Sequence, residues 1–189
     1  MTIRLVHGIR EFKAESHMQP IYTALVDSGL DAAHVTYGPI WIPVTNERAV
    51  NAVMESVEPG DDVVAFSNGC WAVHQALELG LKVRNLYVIS GALNTQAVLP
   101  NVSGQTLVYY SAGDNPTLAA RWYRRTINKL APWRWRKPHG WGAMGRYGIE
   151  RELLPHERNI DMGRAVGHKY YDYENTIAMI VQDICNGAT

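Results

Sequence analysis

One stretch of the sequence, residues 61–80, restricts the fold more than any other. It reads DDVVAFSNGCWAVHQALELG: an apolar strand over 63–66 leads into Ser67, and an apolar-periodic helix follows at once. The residues two before and two after the serine are small, Ala65 and Gly69. A strand–turn–helix this tight excludes larger side chains there and lifts the serine hydroxyl clear of the sheet. The pattern predicts a nucleophile elbow; the alternative is that Ser67 is an ordinary helix N-cap.

Short apolar runs alternate with helical periodicity along the rest of the chain. The runs predict strands at 2–6, 34–37, 63–66, 85–90, 106–111 and 158–162. Helices are predicted at 17–28, 45–57, after the elbow, near 96–99, at 121–130 and at 171–186. Because strands that alternate with helices form parallel sheets covered on both faces, we expect an α/β three-layer sandwich with a mostly parallel sheet of about six strands. The 189 residues are enough for a single domain with a full core.

Composition excludes several classes of protein. The 18 basic and 18 acidic residues cancel, so net charge predicts no partner. The sequence shows neither a signal peptide nor an apolar run long enough to span a membrane. The two cysteines, Cys70 and Cys185, are expected to be reduced thiols in a cytoplasmic protein. Since the histidines lack metal-ligand spacing, we expect neither a metal nor another cofactor.

Chemistry-bearing residues occur where predicted strands end. Ser67 follows the third strand, Asp114 follows the fifth, and His168 precedes the closing helix. If the three side chains meet, the His168 imidazole can take the proton of Ser67, and the Asp114 carboxylate can orient and stabilise the imidazole. The oxyanion that forms would be held by the backbone N–H groups of Asn68 and Ile9.

Alternatives remain for two of these three residues. Asp114 also suits a turn in which its side chain bonds the local backbone, and Asp161 is a second candidate for the acid. His139 and His156 compete with His168, although His168 alone has a small residue before it and a helix after it.

Four motifs together resemble the α/β-hydrolase family: LVHG after the first strand, AFSNG at the elbow, SAGDNP after a late strand and VGHKYY before the last helix. The resemblance implies a Ser67–His168–Asp114 triad, with the loop after the first strand supplying the second oxyanion donor. The chain departs from the family in two ways. It begins at what would be the third strand of the usual fold, which implies a trimmed sheet, and a long segment separates Asp114 from His168.

That segment is basic and rich in aromatic residues. Residues 115–149 contain eight Lys or Arg, no Asp or Glu, and four tryptophans, at positions 122, 133, 135 and 141. We expect a lid at about 119–150 in which the tryptophans pack and the basic groups are solvated. The alternative is an interface for nucleic acid or another anionic partner.

These observations predict a carboxylesterase-like serine hydrolase that cleaves an ester, thioester or amide of a small molecule. Substrate contacts are expected from His7, Gly8, Trp41 and Trp141. The competing hypothesis is a non-catalytic binding protein on the same fold, associated with nucleic acid or another anionic partner through the basic segment.

Overall fold

The computed structural model of the protein describes residues 2–8, 17–38, 47–119, 121–122 and 141–188. Its strands are β1 (Ile3–Val6), β2 (Ala32–Val35), β3 (Asp62–Phe66), β4 (Leu86–Ile89), β5 (Thr106–Tyr110) and β6 (Glu157–Asp161). Its named helices are α1 (Gln19–Asp27), α2 (Glu47–Ser56), α3 (Asn68–Glu78), α4 (Met144–Tyr147) and α5 (Glu174–Ala188). A 3-10 turn at Tyr170–Asp172 precedes α5, and residues 115–119 are also helical.

The six described strands form one parallel sheet in the order β2-β1-β3-β4-β5-β6. This confirms the predicted α/β class and the sheet of about six strands. The chain leaves β1 for β2 on one side and returns to β3 on the other, so the strand order reverses at β1. In parallel sheets a binding crevice forms at such a switch point, beyond the carboxyl ends of the strands. Here those ends carry His7 and Gly8 after β1 and Ser67 after β3.

Side chains of each strand alternate between two apolar cores, one on each face of the sheet. In β3, Val63 and Ala65 join the core covered by α2 and α3, whereas Val64 and Phe66 join the core covered by α1 and α5. This period of two follows from strand geometry, and burial on both faces explains why the strand is continuously apolar. The result is the predicted three-layer sandwich.

The structure differs from the sequence expectation in two segments. The expected helix near 96–99 is wrong, because Ala97 and Leu99 are buried while Val98 is 54% exposed, an alternation typical of extended chain. A helical stretch was missed directly after Asp114, where Pro116 lies in the first turn and its missing N–H costs nothing.

The second strand also lies two residues earlier than predicted. Its pairing with β1 sets Ala32 opposite Ile3 and Val35 opposite Val6. Tyr37 therefore lies beyond the strand, where its ring stacks on His7 with centroids 4.0 Å apart.

Two carboxylates at the ends of strands make stability depend on pH. Burial acts to raise the pKa of Glu157, but hydrogen bonds from Arg151 and from the Leu154 N–H outweigh it, so the pKa lies below its usual value. The pKa of Asp61 is lowered in the same way by Arg4 and by backbone N–H groups, against the effect of burial. A carboxylate with a depressed pKa stabilises the folded state above its unfolded-state pKa and loses that contribution as pH falls.

We therefore expect the free energy of unfolding to decrease as pH is lowered from about 4.5, the ordinary range for a Glu carboxyl, through the lower folded-state values. The variant Glu157→Gln should be destabilised by on the order of 3 kcal/mol at pH 7, because it leaves Arg151 without its buried partner. Its pH dependence should be correspondingly shallower. Urea unfolding between pH 3 and 7 measures both effects, with Glu55→Gln on the exposed face of α2 as the control. A variant with the same acid slope as wild type would contradict the assignment.

Candidate active site

Ser67 occupies a strained turn between β3 and α3. Its backbone has φ 53° and ψ −119°, a conformation that a residue with a side chain rarely adopts. The turn is held because the Ser67 N–H donates to Ile89 O at 3.0 Å and α3 starts at the next residue. A Cβ on Gly69 would lie 2.6 Å from Val6 O and closer still to His7 O, so only glycine fits there. These are the steric features that the sequence pattern predicted for an elbow.

The structure brings the Ser67, His168 and Asp114 side chains into one hydrogen-bonded row. His168 Nε2 lies 3.0 Å from Ser67 Oγ. Its other ring nitrogen, Nδ1, lies 3.0 Å from Asp114 Oδ2 and 3.1 Å from Oδ1. The Phe66 ring packs beside the imidazole, with centroids 5.0 Å apart. Such a row can move a proton from the hydroxyl to the imidazole while the carboxylate faces the opposite nitrogen.

Asp114 is completely buried and has two roles in the structure. Its Oδ1 accepts a hydrogen bond from the Thr117 N–H at 3.0 Å, which caps the helical stretch at 115–119. The same carboxylate faces His168. The two interpretations of Asp114, as a local turn residue and as the partner of a histidine, therefore describe one side chain that does both.

The loop that carries His168 is joined to the loop that carries Asp114 by Ser111. This buried hydroxyl accepts hydrogen bonds from the Gly167 N–H at 3.0 Å and the Gly113 N–H at 3.3 Å, and donates to Gly163 O at 2.8 Å. In the sequence, Ser111 is the first residue of the turn Ser111–Asp114 within the motif SAGDNP, but its contact with the loop of His168 was not predicted. Its position directly after a buried strand was the available signal.

Comparison with known proteins gives no match by sequence, since neither a family model nor a curated protein aligns with the chain. Solved structures do match. Mouse alpha/beta hydrolase domain-containing protein 10 superposes with a TM-score of 0.64 at 11% identity, over 98% of this chain and 88% of that one. A protein described as a YdeN-like hydrolase from Pectobacterium atrosepticum gives 0.55 at 14%, over 96% and 89%. An extracellular α/β-hydrolase from a Paenibacillus species gives 0.51 at 12%, over 95% and 96%.

The chain has the α/β-hydrolase fold. It is the trimmed form, with six described parallel strands, that the sequence predicts. At these identities the likeness concerns the fold, and the chemistry of the site is argued from this chain's own residues.

Of the two expected oxyanion donors in this α/β-hydrolase fold, Asn68 belongs to the described residues and directly follows Ser67. Asn68 is the first residue of α3, and N–H groups in a first helical turn have no acceptor within the helix. The second expected donor, Ile9, lies outside the described residues. Its neighbour Gly8 contacts the elbow closely: a Cβ there would lie 3.1 Å from Ser67 Cβ and 3.5 Å from Oγ.

His7 braces this loop from the side of β2. The residue is buried, and its Nδ1 lies 2.9 Å from Gly8 O. Tyr37 stacks on the ring and its hydroxyl donates to His7 O. These contacts hold the loop after β1 against Ser67.

The other candidate acids and bases are placed elsewhere. Asp161 is exposed and accepts a hydrogen bond from the Gly163 N–H at 2.8 Å. The His156 carbonyl accepts from the Thr106 N–H at the start of β5, the end of the sheet opposite Ser67. Burial raises the pKa of the Cys70 thiol, which donates to Ala65 O at 3.2 Å. His139 lies outside the described residues.

Only part of the expected lid is described. Trp141 is 8% exposed, and its backbone bridges to Leu93 in the core beneath α3, so this tryptophan packs as expected. Trp122 is 63% exposed, so the expected packing is wrong for that side chain. Residues 123–140, which hold most of the basic and aromatic side chains, lie outside the described residues, as does Trp41. The alternative of a nucleic-acid or other anionic partner depends on those residues.

The part of the chain that the structure describes contains neither a membrane-spanning helix nor a metal-binding cluster. None of its helices has the length and apolar composition that a membrane crossing requires. Within the same described residues, no three His, Cys, Asp or Glu side chains are grouped to hold a metal ion.

Proposed function

We propose that this protein is a serine hydrolase of the carboxylesterase type, acting on an ester, thioester or amide of a small molecule. The observation that supports it best is the row from Ser67 Oγ through His168 to Asp114, with both contacts at 3.0 Å, on an elbow that only glycine at position 69 permits. A strained, precisely held serine of this kind is costly to maintain, and such strain is typical of functional sites.

On this proposal the reaction has two steps, formation of an acyl-enzyme and its hydrolysis. Ser67 Oγ attacks the substrate carbonyl carbon while His168 Nε2 takes the hydroxyl proton, and the carbonyl oxygen becomes an oxyanion next to the Asn68 N–H. The bond to the leaving group then breaks, and the imidazolium returns its proton to that group. Water repeats the sequence on the acyl-enzyme, which releases the acid and restores Ser67.

The structure carries three further arguments for catalysis over a bare binding scaffold. Asp114 is buried and faces the His168 imidazole, and no Lys or Arg of the described residues is paired with it. The elbow serine keeps 7% of its surface exposed, so it is not completely enclosed in the core. The site also lies at the switch point of the sheet, where α/β folds bind ligands. The two free cysteines agree with the proposed cytoplasmic location.

Labelling with a fluorophosphonate probe tests the proposal directly. We expect the native protein to be labelled covalently and the Ser67→Ala variant to show no labelling. The variant Ser90→Ala is a matched control, since it removes another buried hydroxyl that follows a strand. The assignment of the nucleophile would be overturned if Ser67→Ala were still labelled. It would also be overturned if the folded wild-type protein were not labelled.

A further inference from the structure

The helical turn α4 lies between the carboxyl ends of β4 and β5. The Gly145 N–H donates to Gly91 O and the Ser111 N–H donates to Gly145 O, both at 2.8 Å. A third bond joins the Met144 N–H to Leu93 O at 2.9 Å. Since Gly91 and Ser111 each follow a core strand, the backbone of α4 is fastened to two neighbouring strand ends at once.

Gly145 lies directly against the carboxylate of Asp114. A Cβ at position 145 would lie 2.6 Å from Asp114 Oδ2, and 2.5 Å and 2.8 Å from the carbonyl carbon and Cα of Ser90. Ser90 itself has φ 47°, so the backbone on that side is already in a strained conformation and has little freedom to withdraw. No side chain fits between α4 and the acid.

We propose that Gly145 is a positioning residue for Asp114, so that the C-terminal end of the 119–150 insertion forms one wall of the socket for the acid. The inference rests on the proposed serine hydrolase function. The carboxylate is then held from three directions: the Thr117 N–H on Oδ1, the imidazole of His168, and the bare Cα of Gly145 beside Oδ2. Residues at this end of the segment then contribute to the geometry of the triad.

A methyl group at position 145 must displace the Asp114 carboxylate or α4 itself. Misplacement of a catalytic group by about 1 Å can lower turnover by about 100-fold. We expect Gly145→Ala to lower kcat for p-nitrophenyl acetate by roughly 10- to 100-fold, with KM little changed, because the acid acts through His168 and not on the bound ester.

Gly142→Ala is the matched control in the same segment. Its Cβ would lie 2.6 Å from Asn94 Cα and 2.7 Å from Leu93 O, a clash of equal severity that touches no triad residue. Both variants should lower Tm similarly, but Gly142→Ala should retain kcat within about threefold. Equal kcat losses in the two variants would overturn the proposal, because they would show only a general packing defect.

A double-mutant cycle separates positioning from packing. In an Asp114→Asn background Gly145→Ala should have almost no further effect on kcat, since the charge it misplaces is already gone. The proposal would be overturned if Gly145→Ala lowered kcat by the same factor in the Asp114→Asn background as in the wild-type protein. If Gly145→Ala does not fold, Arg146→Ala replaces it: Arg146 Nη1 ties α4 to Asn115 Oδ1 at 3.0 Å, and its loss should lower kcat about threefold to tenfold only when Asp114 is present.

The two proposals fail in distinguishable ways. A folded wild-type protein that neither hydrolyses p-nitrophenyl acetate nor reacts with the fluorophosphonate overturns the hydrolase function, and this inference with it. An active wild type whose Gly145→Ala and Gly142→Ala variants behave alike overturns only the role of Gly145.

Discussion

Replacement of Asp114 by Asn is expected to lower kcat by on the order of 10³- to 10⁴-fold while the fold persists. The amide keeps an oxygen that can accept from the Thr117 N–H, so the cap on the helical stretch at 115–119 survives. Its NH₂ group, however, presents a donor to His168 Nδ1, where the carboxylate presented only acceptors. The imidazole then favours the tautomer with its proton on Nε2, which cannot take the proton of Ser67.

The same substitution at Asp161 is the matched control. Asp161→Asn also retains its local acceptor, here for the Gly163 N–H, and should keep kcat within about twofold of wild type. Steady-state kinetics with p-nitrophenyl acetate and circular dichroism of both variants make the comparison. A large loss in Asp161→Asn with a small one in Asp114→Asn would move the acid to the alternative that the sequence left open.

The second large effect is expected on stability, from Gly69→Ala. By helix propensity alone, replacing a glycine by alanine inside a helix stabilises by about 1 kcal/mol. At position 69 the added methyl meets two backbone carbonyls that cannot rotate aside, that of Val6 at the end of β1 and that of His7 directly after it. We expect the sign to reverse, with a loss of roughly 3 kcal/mol in the free energy of unfolding, at the upper end of the usual cost of overpacking.

Urea unfolding measures the change in the free energy of unfolding caused by Gly69→Ala. The variant Asn51→Ala, on the exposed face of α2, is the control for helix propensity. The control should change stability by only a few tenths of a kcal/mol in the stabilising direction. Because the clash separates β1 from α3, Gly69→Ala should also lose reactivity towards the fluorophosphonate. A stabilised, fully reactive Gly69→Ala protein would contradict the steric account of the elbow.

The sequence by itself determined the class of fold and the elbow. Continuous apolar runs separated by helical periodicity specify strands buried on both faces, and these are local patterns that each segment carries alone. The small residues Ala65 and Gly69 around Ser67 likewise report a local steric need. For the same reason the predicted strands were found with limits shifted by at most two residues.

Only the tertiary structure decided which distant groups meet. His168 lies 54 positions from Asp114 and 101 from Ser67 in the sequence, so their contacts depend on strand order and on how two loops pack. The sequence therefore left Asp161, His156 and His139 as alternatives. The register of β2 was likewise set by its pairing with β1 and not by its own residues.

Ser111 and Gly145 show the same division most clearly. In the sequence, Ser111 is marked only by its position after a buried strand, and Gly145 is not marked at all. Ser111 matters because its hydroxyl joins two loops more than fifty residues apart, and Gly145 because the absence of a side chain lets α4 approach Asp114. A local pattern can specify a helix or a strand. Contacts between residues far apart in the sequence depend on how those elements pack, and only the tertiary structure determines that packing.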